Sequence, residues 1–274
     1  MSNRIFYAVQ SASFLGIGNG LQSISVNASV DFEQAFQLGT LQICANLEGV
    51  PNVEISTERA WQGASNSFWK TAGGDTASVS TFSGSVQMKV ADDESVNFGT
   101  VSPFVNATNM NISSWGVTFP VDGFATETCT VVGNDINWST GTAVNPSQPN
   151  TACTGASFFR RQDVAALSRA QSVSFSCDVG REDLFQLGSK SPYARPATFP
   201  VECTSDFEYL ATTGVGGDTY NSALNTDATN FQTLTYEGVS MGGRLAGSNY
   251  SGGDAGGGNA TIVYNYIGYN SLTT

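Results

Sequence analysis

The chain has 274 residues, only 12% of them charged, a formal net charge of −12 and no histidine. The missing imidazole excludes Ser-His-Asp and Cys-His nucleophile pairs and most catalytic zinc sites. The negative balance repels phosphate backbones and anionic bilayer surfaces, which argues against stable nucleic-acid binding and against a membrane partner.

Length allows one large all-β domain or two small ones, each able to bury a modest core. Gly, Ser, Thr, Asn and Val dominate, and the Glu, Lys and Leu runs of long amphipathic helices are missing, so the fold class expected is all-β. Cut after Thr140, the first part carries 4 basic and 12 acidic residues and the second 7 and 11. Five cysteines (Cys44, Cys129, Cys153, Cys177, Cys203) form no CxxC pair and no even framework, and are expected to be reduced and mostly buried. The opening MSNRIFYAVQSASF has no signal-peptide pattern, so synthesis in a cytoplasm is expected. The Asn-x-Ser/Thr triplets at Asn27 and Asn259 are then compositional and not glycosylation sites.

In chain order, GIGNG at 16–20 precedes strand-like alternation and not a helix, so it reads as a turn and not a dinucleotide loop. From Gln22 to Gly39 runs QSISVNASVDFEQAFQLG, with Ile24, Val26, Ala28 and Val30 alternating against Ser23, Ser25, Asn27 and Ser29, a half-buried strand. The acidic run Asp92, Asp93, Glu94 is a solvated turn or a set of candidate lumen or loop acids. GFATETCTVVG at 123–133 reads as a further strand, and STGTAVNPSQPNTACTG at 139–155 as a linker. SFFRRQDVAALSRA at 157–170 fits a short helix or an extended connection equally, and its Arg160-Arg161 pair fits solvent exposure as well as an acidic neighbour.

At Gln171 the opening phrase returns as QSVSFSCDVGREDLFQLG, identical at nine of 18 positions and ending at Gly188. Val173, Phe175, Cys177 and Val179 alternate as in the first copy. Each strand is followed by a segment, Glu33 to Leu38 or Glu182 to Leu187, read as a turn or two of helix stopped by Gly39 or Gly188. Pro51 and Pro200 lie 12 positions beyond those glycines, and Val53-Glu54 then matches Val201-Glu202 after one deletion. GSNYSGGDAGGG at 247–258 is a hairpin tip by composition, and GNATIVYNYIG at 258–268 echoes GFATETCTVVG, with Glu127 aligned to Ile262. Two copies are too few for a solenoid, so the repeat implies duplicated β domains packed side by side. The repeated positions, with possible interface roles, are Gln22, Glu33, Phe36, Leu38, Gly39 and Pro51, matched by Gln171, Glu182, Phe185, Leu187, Gly188 and Pro200.

LQSISVNASVDFEQAFQLGTLQICANLEGVPNVEIS, SVSFSCDVGREDLFQLGSKSPYARPATFPVECTS and the closing ATIVYNYIGYN together resemble the major tail tube proteins of tailed bacteriophages, virion structural proteins of the viral tail. The resemblance covers less than half of the chain and includes no catalytic signature. It implies two tube domains, 1–140 and 141–274 with a linker around 139–157, each a β-sandwich or partial barrel with a short flanking helix. It also implies self-assembly into ring oligomers stacked as a hollow conduit for genome DNA during ejection. Duplication favours a trimer with pseudo-six-fold symmetry over a hexamer. Tape-measure, tail terminator, baseplate and sheath proteins would be its neighbours, DNA would pass without adhering, and no cofactor, metal or catalysis is implied. Two rival readings are a monomeric surface-binding β-sandwich (a carbohydrate-binding module, an adhesin or a phage decoration protein) and a carboxylate hydrolase using Asp92, Asp93 or Glu94. The tube of a contractile secretion system would share the fold, but it is usually built from single-domain subunits.

Overall fold

Alternation of apolar side chains with Ser, Thr and Asn carries most of the chain into strands. The computed structural model describes residues 11–18, 20–36, 43–89, 102–141, 167, 169–189, 191–210, 231–252 and 260–274. Its strands are β1 (Ser11–Phe14), β2 (Leu21–Phe36), β3 (Ile43–Ala60), β4 (Gly84–Lys89), β5 (Ser102–Pro120), β6 (Thr126–Gly133) and β7 (Asp135–Gly141), then β8 (Ala170–Asp178), β9 (Glu202–Leu210), β10 (Gln232–Tyr236), β11 (Val239–Ser251), β12 (Thr261–Tyr269) and β13 (Leu272–Thr273). Two short helices follow β3: α1 (Phe68–Thr71), capped by the Ser67 hydroxyl accepting from the Lys70 N–H, and α2 (Thr76–Thr81), capped by Asp75 accepting from the Ser78 N–H. The chain is all-β, and among the described residues every strand pair is antiparallel.

One large sheet runs β2-β3-β6-β5-β8-β9-β12-β11. The long strands β5 and β11 each bulge, between Ile112 and Ser114 and between Leu245 and Gly247, and two residues further on pass into a small second sheet. One small sheet is β1-β4-β5-β7 and the other is β10-β11-β13. The two halves of the sequence thus supply the same four-strand block in the same order, side by side. Across the first block one row reads Asn27, Glu54, Val132, Asn111; across the second it reads Ser176, Thr204, Ile267, Arg244. The bulges fall at the same place in both. Glu54 therefore corresponds to Thr204, two residues beyond the match predicted from the proline spacing, because the connection from β8 to β9 is longer by one residue and not shorter.

Gly133 and Gly268, which close the two echoed strands, explain why that echo ends on glycine. A Cβ on Gly133 would meet Met110 Sδ at 2.3 Å, and one on Gly268 the Gly242 carbonyl oxygen at 1.9 Å. Both sit where a long strand bends out of the large sheet and the backbones need close approach.

Of the flanking helices expected at Glu33–Leu38 and Glu182–Leu187, the described residues 33–36 and 182–187 are not helical. Residues 33–36 extend β2, with Phe32 opposite Glu48 and Glu33 opposite Leu47, while Leu38 and Gly39 lie outside the described residues. Residues 182–187 belong to an open turn held by bridges from Arg181 to Ala197 and from Leu184 to Ala194, and by the Arg195 guanidinium on the Asp183 carboxylate. A six-residue helix nucleates poorly, and hairpin pairing satisfies the same backbone groups. Gly188 does adopt φ 85°, at a turn and not at a helix end. The linker proposed from Ser139 begins inside β7, and its remainder lies outside the described residues.

Between the large sheet and the elements above it lies one apolar core. In the first half Trp115 packs at a tilt against Trp61 and Trp69 with ring centroids at 6.4 and 5.6 Å. Its buried indole N–H needs an acceptor, and Glu127 supplies one at 2.5 Å. The same carboxylate accepts from the Phe68 N–H at 2.8 Å, fixing α1, and from Arg59 Nε at 2.5 Å. Both charged side chains are fully buried, with Arg59 4.3 Å from the Phe68 ring centroid. Burial pushes the Glu127 carboxyl up, and Arg59, Trp115 and Phe68 act against that rise. Glu127→Ala would strand a buried guanidinium and two N–H donors, so it should cost about 3–5 kcal/mol in urea unfolding. Pairing it with Arg59→Met should restore part of that loss, since the Trp115 and Phe68 N–H groups stay without their acceptor.

Candidate functional site

The large sheet covers its core on one face and leaves the other to solvent. The burial alternation of each strand, locked by register, assigns side chains to that open face. β3 contributes Glu54, Ser56 and Glu58; β6 Thr126, Thr128 and Thr130; β5 Ser114, Gly116 and Thr118; and β8 Ser172, Ser174, Ser176 and Asp178. β9 adds Glu202, Thr204, Asp206 and Glu208, and β12 adds Thr261, Val263, Asn265 and Ile267. Six carboxylates, Glu54, Glu58, Asp178, Glu202, Asp206 and Glu208, thus share a face on which Arg244 is the one cation among the described strand residues.

Short cross-strand hydrogen bonds tie the surface down: Ser176 to Thr204 at 2.6 Å, Asn265 to Asp206 at 2.6 Å, Ser172 to Glu208 at 3.0 Å and Ser56 to Thr130 at 3.3 Å. Side chains are short and held close to the sheet. Asp178 and Glu202 stand directly opposite each other, a like-charge pairing that costs stability. They border an open groove of about 320 Å³ with Ser176, Gly180, Thr198, Pro200 and Thr204. Among the described residues no group of three or more His, Cys, Asp or Glu could hold a metal ion, and no helix is long and apolar enough to cross a membrane.

The sheet ends in two edges. Among the described residues, the outer sides of β2 and of 247–251 in β11 have no strand partner. Beyond the block, β2 and β3 continue as a two-stranded arm on which Phe32 is 64% and Leu47 58% exposed. The joint between the blocks pairs β5 with β8 from Ser114 opposite Asp178 to Pro120 opposite Ser172. Arg181 clamps it: Nε donates to the Ile112 carbonyl at 2.8 Å, Nη1 to Ser80 at 2.6 Å and Nη2 to Val79 at 2.9 Å, which ties the end of α2 to the second half. Burial, then the like charge of Arg195, brings the Arg181 pKa down to about 10, so it stays charged at neutral pH.

The repeat residues do not gather at one site. Gln22 and Gln171 occupy matching starts of β2 and β8, Glu33 and Phe36 lie on the arm, and Pro51 opposes Val30 in β3. Glu182, Phe185, Leu187, Gly188 and Pro200 belong to the loop between β8 and β9, with Phe185 and Leu187 exposed. Asp92, Asp93 and Glu94 lie outside the described residues. The acids that do share a surface were not singled out from sequence. Their signal was present in ECTSDFE at 202–208, where carboxylates fall at 202, 206 and 208 of the polar register. Comparison with protein-family models and with curated protein sequences gives no match for this chain.

Removing the Asp178–Glu202 repulsion between β8 and β9 should stabilise the fold. Asp178→Asn is expected to raise the unfolding free energy by about 0.2–1 kcal/mol in urea titrations at low ionic strength, with the gain shrinking as salt is added.

Proposed function

We propose that this chain is a ring-forming structural subunit that closes by continuing its own sheet from copy to copy. Within that class, the reading supported best is the major tail tube protein of a tailed bacteriophage, whose stacked rings form the conduit for genome DNA during ejection. The carrying observation is the order β2-β3-β6-β5 followed by β8-β9-β12-β11. Two equivalent blocks are joined head to tail by β5 and β8, and the same operation carried on once more brings β11 of one copy against β2 of the next.

The internal joint specifies that contact. Gly116 opposes Ser176 inside the chain, and their counterparts in the repeat are Asn249 and Asn27; likewise Trp115 and Cys177 map to Ser248 and Ala28. The aligned position of Arg181 is Phe32, and that of Ile112 is Leu245. A polar clamp inside the chain thus becomes an apolar contact between chains, which gives the exposed Phe32 a partner. Three copies supply twenty-four strands from eight each. At about 4.8 Å per strand and a tilt of about 40° they enclose a bore of roughly 48 Å between backbones, wide enough for duplex DNA after side chains are subtracted. Two copies would give two thirds of that and six would double it.

Closure in this sense turns one sheet face inward. The inward face is the acidic one, since the opposite face carries the core, the helices and the small sheets. DNA bears about one charge per 1.7 Å of axis, so a wall in which Ser, Thr and carboxylates outnumber the aliphatic Val132, Val263 and Ile267 neither grips bases nor neutralises phosphates. Pairing the edges also removes exposed backbone groups that invite indiscriminate aggregation, and stacking uses unlike top and bottom surfaces, giving an open filament.

Negative-stain microscopy and native mass measurement should find three-chain rings or hollow tubes. A monomer persisting at high concentration would overturn the reading and favour the surface-binding β-sandwich. Under mild oxidation, Asn27→Cys with Asn249→Cys should give covalent ladders ending at three chains, whereas Asn27→Cys with Gly247→Cys, two residues out of register, should not. Phe32→Asp should abolish rings while changing monomer stability by less than about 0.5 kcal/mol.

A further inference from the structure

Cys177 on β8 and Cys203 on β9 are directly opposed in register, both buried, with their sulfur atoms 3.3 Å apart. Residues opposed in an antiparallel ladder have Cα atoms about 4.5–5.5 Å apart, inside the span of about 4.4–6.8 Å that a disulfide bridges without backbone movement. The first half offers an internal comparison: Ala28 and Val53 oppose each other at the corresponding position. The frame therefore packs with two aliphatic side chains there, and thiols are not needed to fill it. Among the described residues, Cys129 is the other buried cysteine; it opposes Thr57 and Trp115, and no described thiol lies beside it.

We propose that Cys177 and Cys203 are a disulfide site, reduced in a cytoplasm and closed by a small peroxide oxidant once the protein meets an oxidising medium. This rests on the pair's geometry and stands apart from the tube reading. The hydrogen bond shared by the two sulfurs draws the Cys203 pKa down to about 7, so Cys203 is the group that ionises first. Its thiolate attacks one oxygen of hydrogen peroxide; the O–O bond breaks, hydroxide leaves, and Cys203 carries a sulfenic acid. The Cys177 sulfur then displaces that hydroxyl, which departs as water as Cys177 loses its proton. Two thiols and one peroxide yield one disulfide and two waters. The bond closes a loop over residues 178–202, which contains the Arg181 clamp and the Arg195–Asp183 pair. Burial of both sulfurs admits a small peroxide more readily than a bulky disulfide reagent.

The test uses the full-length protein, purified reduced, treated with stoichiometric hydrogen peroxide, then denatured, alkylated and digested without reductant. The expected result is a 2 Da loss of intact mass, one linked peptide containing Cys177 and Cys203, and a raised thermal midpoint that reductant reverses. In Cys203→Ala the 2 Da loss should disappear. If that variant fails to fold, the wild-type digest decides alone. Recovery of Cys177 and Cys203 as separately alkylated or sulfinic peptides, or linked only to other cysteines, would overturn the proposal. Ring formation scored by microscopy on the same samples reports on the tube reading separately.

Discussion

The backbone ladder between β5 and β8 is the constraint on which the rest of the molecule depends. Seven opposed residue pairs, from Ser114 and Asp178 to Pro120 and Ser172, turn two four-stranded blocks into one sheet. Without it each block would present two raw edges and a narrow face; with it, one continuous polar surface forms and two edges remain. The Arg181 clamp reinforces the ladder from the core side by satisfying carbonyls at the end of α2 and in β5. Beside the joint, β8 and β9 tolerate the Asp178–Glu202 opposition, a repulsion that the surrounding backbone bonds outweigh.

The same frame is filled by different chemistry in its two halves. One row of the first block reads Ile24, Thr57, Cys129, Trp115, and the matching row of the second reads Val173, Phe207, Tyr264, Ser248. The large indole of Trp115 brings a buried N–H with it, the N–H calls for Glu127, and the carboxylate calls for Arg59. Where serine replaces that tryptophan, Ile262 and Tyr209 take the places of Glu127 and Arg59. Packing there is by aromatic edges, Phe175 on Phe207 and Tyr209 on Tyr264, each with centroids at 6.0 Å. Sequence divergence after duplication thus follows packing demands, while register and bulge positions persist because they are set by the backbone.

Much of this was legible in the chain and some was not. Alternation around 22–30 and 171–179 announced strands, and the repeated phrase announced an internal equivalence. The helix expected after each strand failed because residues 33–36 and 43–47 are neighbours only once the hairpin closes, and that pairing outweighs a weak local preference. The real helices sit where capping by Ser67 and Asp75 is strong, in a segment with no counterpart in the repeated phrase. The linkage of Glu54 to Thr204, displaced from the match that proline spacing suggested, shows why register belongs to hydrogen-bond ladders and not to sequence spacing.

By itself the sequence determined what is local or compositional: the all-β class, the net charge of −12, the duplication, and the split of each strand into an apolar and a polar side. Only the tertiary structure decided which carboxylates share a face, that Cys177 meets Cys203, and that the two blocks join through β5 and β8. Period-two alternation says that a side chain faces one way or the other. It does not say which strand lies alongside, because neighbours in an antiparallel sheet are chosen by contacts between segments far apart in the chain.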